Sequence, residues 1–121
     1  MWMNVIIYHN NESDFFTPYS ESQSVAPVFI YAADVDGTMA QPEQEAARRE
    51  AERAYMIGQN GVPQIGDEAT ALNARYGAGR NRSVSVSDLV QVGVYVFAAD
   101  LVGMRRTGGK LNVQPNQHDN F

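Results

Sequence analysis

Asp34 and Asp36 end the apolar run Val28-Phe29-Ile30-Tyr31-Ala32-Ala33 and lead into Gly37-Thr38. Two acids at i and i+2 beyond a strand end suit acid chemistry, but Asp-x-Asp-Gly is also common turn chemistry, because Asp and Gly both favour bends. Other reactive side chains are few. The chain has no cysteine, which removes disulfides, thiolate nucleophiles and sulfur-ligated metal sites together and leaves only oxygen and histidine ligation. Its two histidines, His9 and His118, stand in polar surroundings near the termini and read as solvated residues. His118-Asp119 would build a metal site only by meeting His9 and Asp14, and no pattern brings those segments together, so neither metal nor cofactor is expected. Ser83, Ser85 and Ser87 lack a base within reach in the sequence. Gly77-Ala78-Gly79-Arg80 lacks the Lys-Ser/Thr ending of a phosphate loop and reads as a helix stop.

The segment Val28 to Met39 resembles the first motif of the haloacid dehalogenase superfamily, an apolar strand followed by Asp-x-Asp-Gly-Thr. The resemblance implies a magnesium-dependent phosphatase with Asp34 as nucleophile and Asp36 as general acid. It also implies a parallel doubly wound sheet, a later strand ending in Ser or Thr, a phosphate-holding lysine and a final acidic pair. The only lysine, Lys110, falls in an expected tail, and the later strand segment offers Asp100 alone. The phosphatase is therefore the alternative reading.

The elements that would position these residues belong to one modest domain. The length of 121 residues suits a single core, and 44% hydrophobic and 10% aromatic residues argue for a globular chain. No apolar run approaches the ~18 residues that span a bilayer, and the N-terminal residues lack the pattern of a secretory signal. The expected setting is the cytoplasm of a bacterial host, away from membranes. The net charge of −5 is unevenly distributed. Residues 1–40 carry Glu12, Asp14, Glu21, Asp34 and Asp36 without a Lys or Arg, whereas Arg80, Arg82, Arg105, Arg106 and Lys110 outnumber the acids in residues 76–121. An acidic total disfavours nucleic acid as a partner, and weak single-stranded binding through Arg80, Arg82, Arg105 and Arg106 is a third reading.

Asn4 to Tyr8 predicts a first strand, and Pro27 to Ala33 a strand buried on both faces. Between them, residues 11–26 show no period and are expected as a mobile loop. Its aromatics Phe15, Phe16 and Tyr19 need a surface to cover, either the domain's own core or, with Asp14, a partner. Pro42 to Ile57 predicts the main helix, with Ala47, Ala51, Ala54, Tyr55 and Gly58 as its apolar stripe and a Glu45–Arg49 pair. Asp67 opens a shorter helix carrying Ala69, Leu72 and Tyr76. From Ser83 the alternation Val84, Val86, Asp88, Val90, Val92, Val94, Val96 predicts a half-buried sheet bent at Gly93 and again at Gly103. Asp88 on that apolar face requires hydrogen bonds, from the preceding bend or from Arg82. The expected fold is α+β: an antiparallel sheet of four or five strands with one main helix packed on it and a second short helix. Residues 1–107 would form the domain and residues 108–121 a flexible polar tail.

Arg75 to Val90, with its Arg82-Ser83-Val84-Ser85-Val86-Ser87-Asp88-Leu89-Val90 core, resembles small proteins of phages, plasmids and actinobacterial mobile elements, including the YodL-like domain. That resemblance spans about residues 27–106 and supplies a provenance but no catalytic residue. The favoured reading is a small non-enzymatic accessory protein of such an element that binds a host protein or other macromolecule. The surfaces expected to do so are the acidic aromatic loop (Asp14, Phe15, Phe16, Tyr19) and the basic lip Arg80 and Arg82.

Overall fold

A computed structural model describes residues 1–12, 17–37 and 42–114. Trp2–Asn10 forms β1 and Ser24–Asp34 forms β2, two long antiparallel strands whose register slips at Ile7/Tyr8, leaving Val28 as a bulge. Both are richer in strand than the sequence suggests at their ends. Val25 and Ala26, expected in the loop, pair with Asn10 and His9, and Val25 is buried. Pro42 caps α1 (Glu43–Ile57), and α2 (Asp67–Ala78) begins at the predicted Asp67. β3 (Leu89–Val92) and β4 (Tyr95–Ala99) make a two-residue hairpin across Gly93 and Val94. β5 (Met104–Arg106) and β6 (Asn112–Val113) complete a sheet ordered β5-β4-β3-β1-β2-β6.

The fold is α+β, as the sequence implies, but the sheet has six strands and is mixed. Five strands are antiparallel, and β6 adds to the free edge of β2 in parallel, pairing Ser24 with Asn112 and Val25 with Val113. The polar segment after Thr107 is thereby attached as far as Gln114, whose N–H donates to the Val25 carbonyl, instead of leaving the sheet at residue 108.

Alternation along each strand sends one set of side chains to the helices and the other to the opposite face. Met3, Val5 and Ile7 of β1, Phe29, Tyr31 and Ala33 of β2, Val90 and Val92 of β3, and Phe97 and Ala99 of β4 form the main core with both helices. α1 presents Ala47, Ala51 and Ala54, residues small enough to let its backbone lie close to β3 and β4. Tyr76 of α2 meets the Phe29 ring edge-on at 5.5 Å. Glu45 pairs with Arg48 on α1, and the predicted partner Arg49 adds its charge in holding the Glu45 carboxyl below its ordinary pKa. Arg53 joins the two helices, at 2.9 Å from Glu50 and 2.6 Å from Glu68. On the opposite face Tyr8, Tyr19, Val25, Leu89, Val96 and Ala98 form a second, smaller core.

Ser83 to Asp88 is not strand, despite its alternation. The Asp88 carboxylate accepts from the Ser85 N–H at 2.8 Å, the Asp88 N–H donates back to the Ser85 carbonyl, and Ser87 takes φ 77°. The segment therefore closes into a bend, and pairing with β1 starts at Leu89. Val84 is buried for a different reason: it seats against the end of α1, its N–H donating to the Gly58 carbonyl.

Candidate functional site

Most residues with chemical potential are held by one another. Asp88 is fully buried and receives four strong donors: Arg82 Nη1 on Oδ2 at 2.6 Å, Arg82 Nη2 on Oδ1 at 2.9 Å, and the N–H groups of Asn10 and Ser85, each at 2.8 Å. Such a bidentate, charge-assisted pair fixes the planes of both groups. Arg82 also reaches the carbonyls of Ser83 and Asn10, so it ties the bend before β3 to the end of β1. Its guanidinium faces inward, and Arg82 is a clamp where a partner-binding lip was expected.

His9 stands beside this clamp and is buried, contrary to the solvated residue that its sequence neighbours suggest. Its Nε2 lies 2.7 Å from the Tyr76 hydroxyl, which in turn donates to the Arg82 carbonyl at 2.5 Å. With that proton committed, Nε2–H is the donor to Tyr76, which assigns the neutral tautomer. Burial pushes the His9 pKa down to about 4, with Arg82 lowering it further and Asp88 opposing. Burial likewise raises Tyr76, so neither ring is ionised near neutrality. This network ties the end of β1, α2 and the bend before β3 together, and it reads as a structural joint.

Asp34 and Asp36 lie at the exposed end of β2, where the Met1 ammonium approaches both carboxylates, Asp34 Oδ1 at 2.9 Å. The two acids raise the pKa of that ammonium. β2 runs antiparallel to β1, unlike the parallel strand that the phosphatase resemblance implies. Among the described residues no group of three or more His, Asp or Glu side chains is placed to hold a metal ion.

The partner surfaces expected from sequence are also redistributed. Tyr19 is a core residue of the second face, packed with Tyr8, Val25 and Leu89, and is not available to a partner. Asp14, Phe15 and Phe16 lie outside the described residues, as do Thr38, His118 and Asp119. Arg80 is exposed at the end of α2 with φ 58°. Arg105 is held by Asp100 at 2.9 Å, and Arg106 lies 4.9 Å from the centre of the Tyr95 ring. The four arginines of the nucleic-acid reading thus do not form one free basic surface.

A different surface brings together three of the exposed apolar groups, Met56, Leu101 and Val102, while others such as Trp2, Ile65 and Val94 lie elsewhere. The Asp100 N–H bonds to the Gly103 carbonyl, closing the turn between β4 and β5, and this turn places Leu101 and Val102 at its tip, 72% and 93% exposed. Tips of this kind ordinarily carry polar or small residues. Beside the tip, α1 contributes Glu52, Tyr55 and the exposed Met56, which with Asp100, Gly103 and Met104 line a cleft of about 250 Å³. Sequence reasoning missed this surface. Its signal was the aliphatic pair Leu101-Val102 inside an Asp-x-x-Gly turn, where a solvated loop has no use for it.

Fold and surface together describe a small α+β protein with a structural ion-pair core and an apolar-tipped cleft. Comparison with protein-family models, with curated proteins and with solved structures returns no match. No helix among the described residues is long and apolar enough to cross a membrane.

Proposed function

We propose that this chain is a non-enzymatic accessory protein of a phage or mobile element that binds a host protein through the α1 and β4–β5 face. The observation that carries the reading is the turn tip, where Leu101 and Val102 extend into solvent beside a cleft walled by Tyr55, Met56 and Met104. Adjacent exposed aliphatic groups cost solubility, and they are retained where a partner covers them. Containment of other polar groups supports the same reading: Asp88 with Arg82, and His9 with Tyr76. The mobile-element provenance rests on the Arg82-to-Val90 signature alone.

The test is affinity capture from bacterial lysate with three proteins: wild type, Leu101→Ser/Val102→Ser, and Arg80→Ala. The expected result is one species captured by wild type, lost with the tip variant at unchanged thermal stability, and kept by Arg80→Ala. Capture that survives the tip variant and disappears with Arg80→Ala would move the interface to the end of α2. Magnesium-dependent hydrolysis of an aryl phosphate, abolished by Asp34→Asn, would replace the reading with the phosphatase.

A further inference from the structure

We infer that residues 108–114 form a strap that opens and closes on the second core as a unit while the rest of the domain stays folded. The strap lies apart from the α1 and β4–β5 face and does not depend on it. Thr107 is its fixed end: the residue is buried, its N–H donates to the Val96 carbonyl at 2.9 Å, and its hydroxyl donates to the same oxygen at 3.2 Å. Gly108 and Gly109 follow as the hinge. Gly109 takes φ 82°, a conformation open to glycine and strained for other residues. Leu111 then packs against the second core, and β6 lies along the edge of β2.

Closure of the strap is shallow. Beyond Thr107 it is held by the Gly108 N–H on Glu21 Oε1 at 3.0 Å, by the partly buried Leu111, and by a two-residue ladder with the Gln114 N–H on the Val25 carbonyl at 2.8 Å. Lys110, Asn112, Val113 and Gln114 are exposed. A segment with few buried contacts and solvent-exposed backbone bonds opens at a far lower free energy than a core strand. The conformational entropy of the strap residues favours opening in the same balance.

The sequence of β2 keeps this closure short. Backbone groups on one edge of a strand recur at every second residue, so the next donor facing β6 after Val25 belongs to residue 27. That residue is Pro27, which has no N–H. Val28 is bulged, and its carbonyl is reached by Asn81 Nδ2 at 3.5 Å. The parallel ladder on β2 therefore stops at Val25, too short to join the cooperative unit of β1 and β3. Closed, the strap blunts the start of the β2 edge against addition of another strand; open, it frees the Val25 backbone and withdraws Leu111 from the second core.

The experiment is native-state hydrogen exchange of the full chain, read by amide NMR at several urea concentrations below the unfolding transition. The Gly108 and Gln114 amides should be protected by one shared opening equilibrium, at least about 100-fold less than the amides of β1 and β3, and with no urea dependence. Leu111→Ser and, independently, Gly109→Ala should each lower the protection of both amides together by about tenfold, leaving β1 and β3 within about twofold of wild type. Strap protection equal to that of β1 with the same urea slope would make the segment part of the global unit and overturn the inference. Absence of protection would show that the strap does not close. Separate responses of Gly108 and Gln114, or a loss of β1 and β3 protection as large as that of the strap in both variants, would likewise overturn it.

Discussion

Replacing Arg82 by alanine is predicted to destabilise the domain well beyond what a surface arginine contributes. In the native protein Asp88 is fully buried and carries a bidentate guanidinium, so the variant leaves a desolvated carboxylate with the N–H groups of Asn10 and Ser85 and the more distant Ser85 hydroxyl. Breaking a buried ion pair by removing one partner costs about 3–5 kcal/mol. The Arg82 side chain is 35% exposed, so water partly takes its place, and the expected loss is reduced to about 2–3 kcal/mol. Arg80→Ala, two residues away and exposed, should stay within about 0.5 kcal/mol of wild type. Equilibrium urea unfolding followed by circular dichroism reads both, and the loss should appear as a lower midpoint at unchanged slope. At about 3–5 °C per kcal/mol for a domain of this size, melting falls by roughly 6–15 °C. Asp88→Ala should be comparably destabilising, and the Arg82/Asp88 double variant less so than the sum, with a coupling of at least about 1 kcal/mol. Arg82→Ala and Arg80→Ala of equal stability would refute the clamp.

Other expectations follow from single contacts. His9 titrates near 6.5 when unfolded and near 4 when folded, so unfolding takes up a proton between those values and stability falls as pH drops through that window. The contribution is at most about 3 kcal/mol, and between pH 6.5 and 5 the urea midpoint should fall in wild type but stay flatter in His9→Gln; parallel curves would remove His9 from the balance. Gly58→Ala would place a Cβ 2.4 Å from Val84 Cγ2 and should cost about 1–3 kcal/mol, with part of the loss recovered when Val84→Ala is added. The Tyr19 hydroxyl is buried without a partner among the described residues, so Tyr19→Phe should be neutral or stabilising by up to about 1 kcal/mol; a loss larger than that would show that the hydroxyl is bonded.

The legible parts of the fold were those set by local period. α1 and α2 follow their alanine and Ala69-Leu72-Tyr76 spacings, and Gly93 and Gly103, with φ 58° and 72°, stand at the two bends assigned to them. The alternation from Val84 to Val96 misled over its first half because two unrelated causes share its spacing. Val84 is buried by the end of α1, and Asp88 is buried by the clamp; only from Leu89 does a ladder bury side chains alternately. Strand β6 carried almost no signal, being two residues whose pairing is decided by the free edge of β2. His9 is misplaced because polar sequence neighbours predict exposure, whereas its burial comes from a partner far along the chain, Tyr76; Tyr19 takes the core alternative, packed with the equally distant Leu89. The cleft needed α1 and the β4–β5 turn to be brought side by side, which no window of sequence contains.

The most direct test of the binding face is a hydrogen-exchange footprint of the chain alone and in complex with the captured partner. Protection on binding should concentrate in residues 52–56 and 100–104. Protection confined to Arg80 and the end of α2, or to Asp34–Gly37, with the β4–β5 turn exchanging as freely as before, would contradict it.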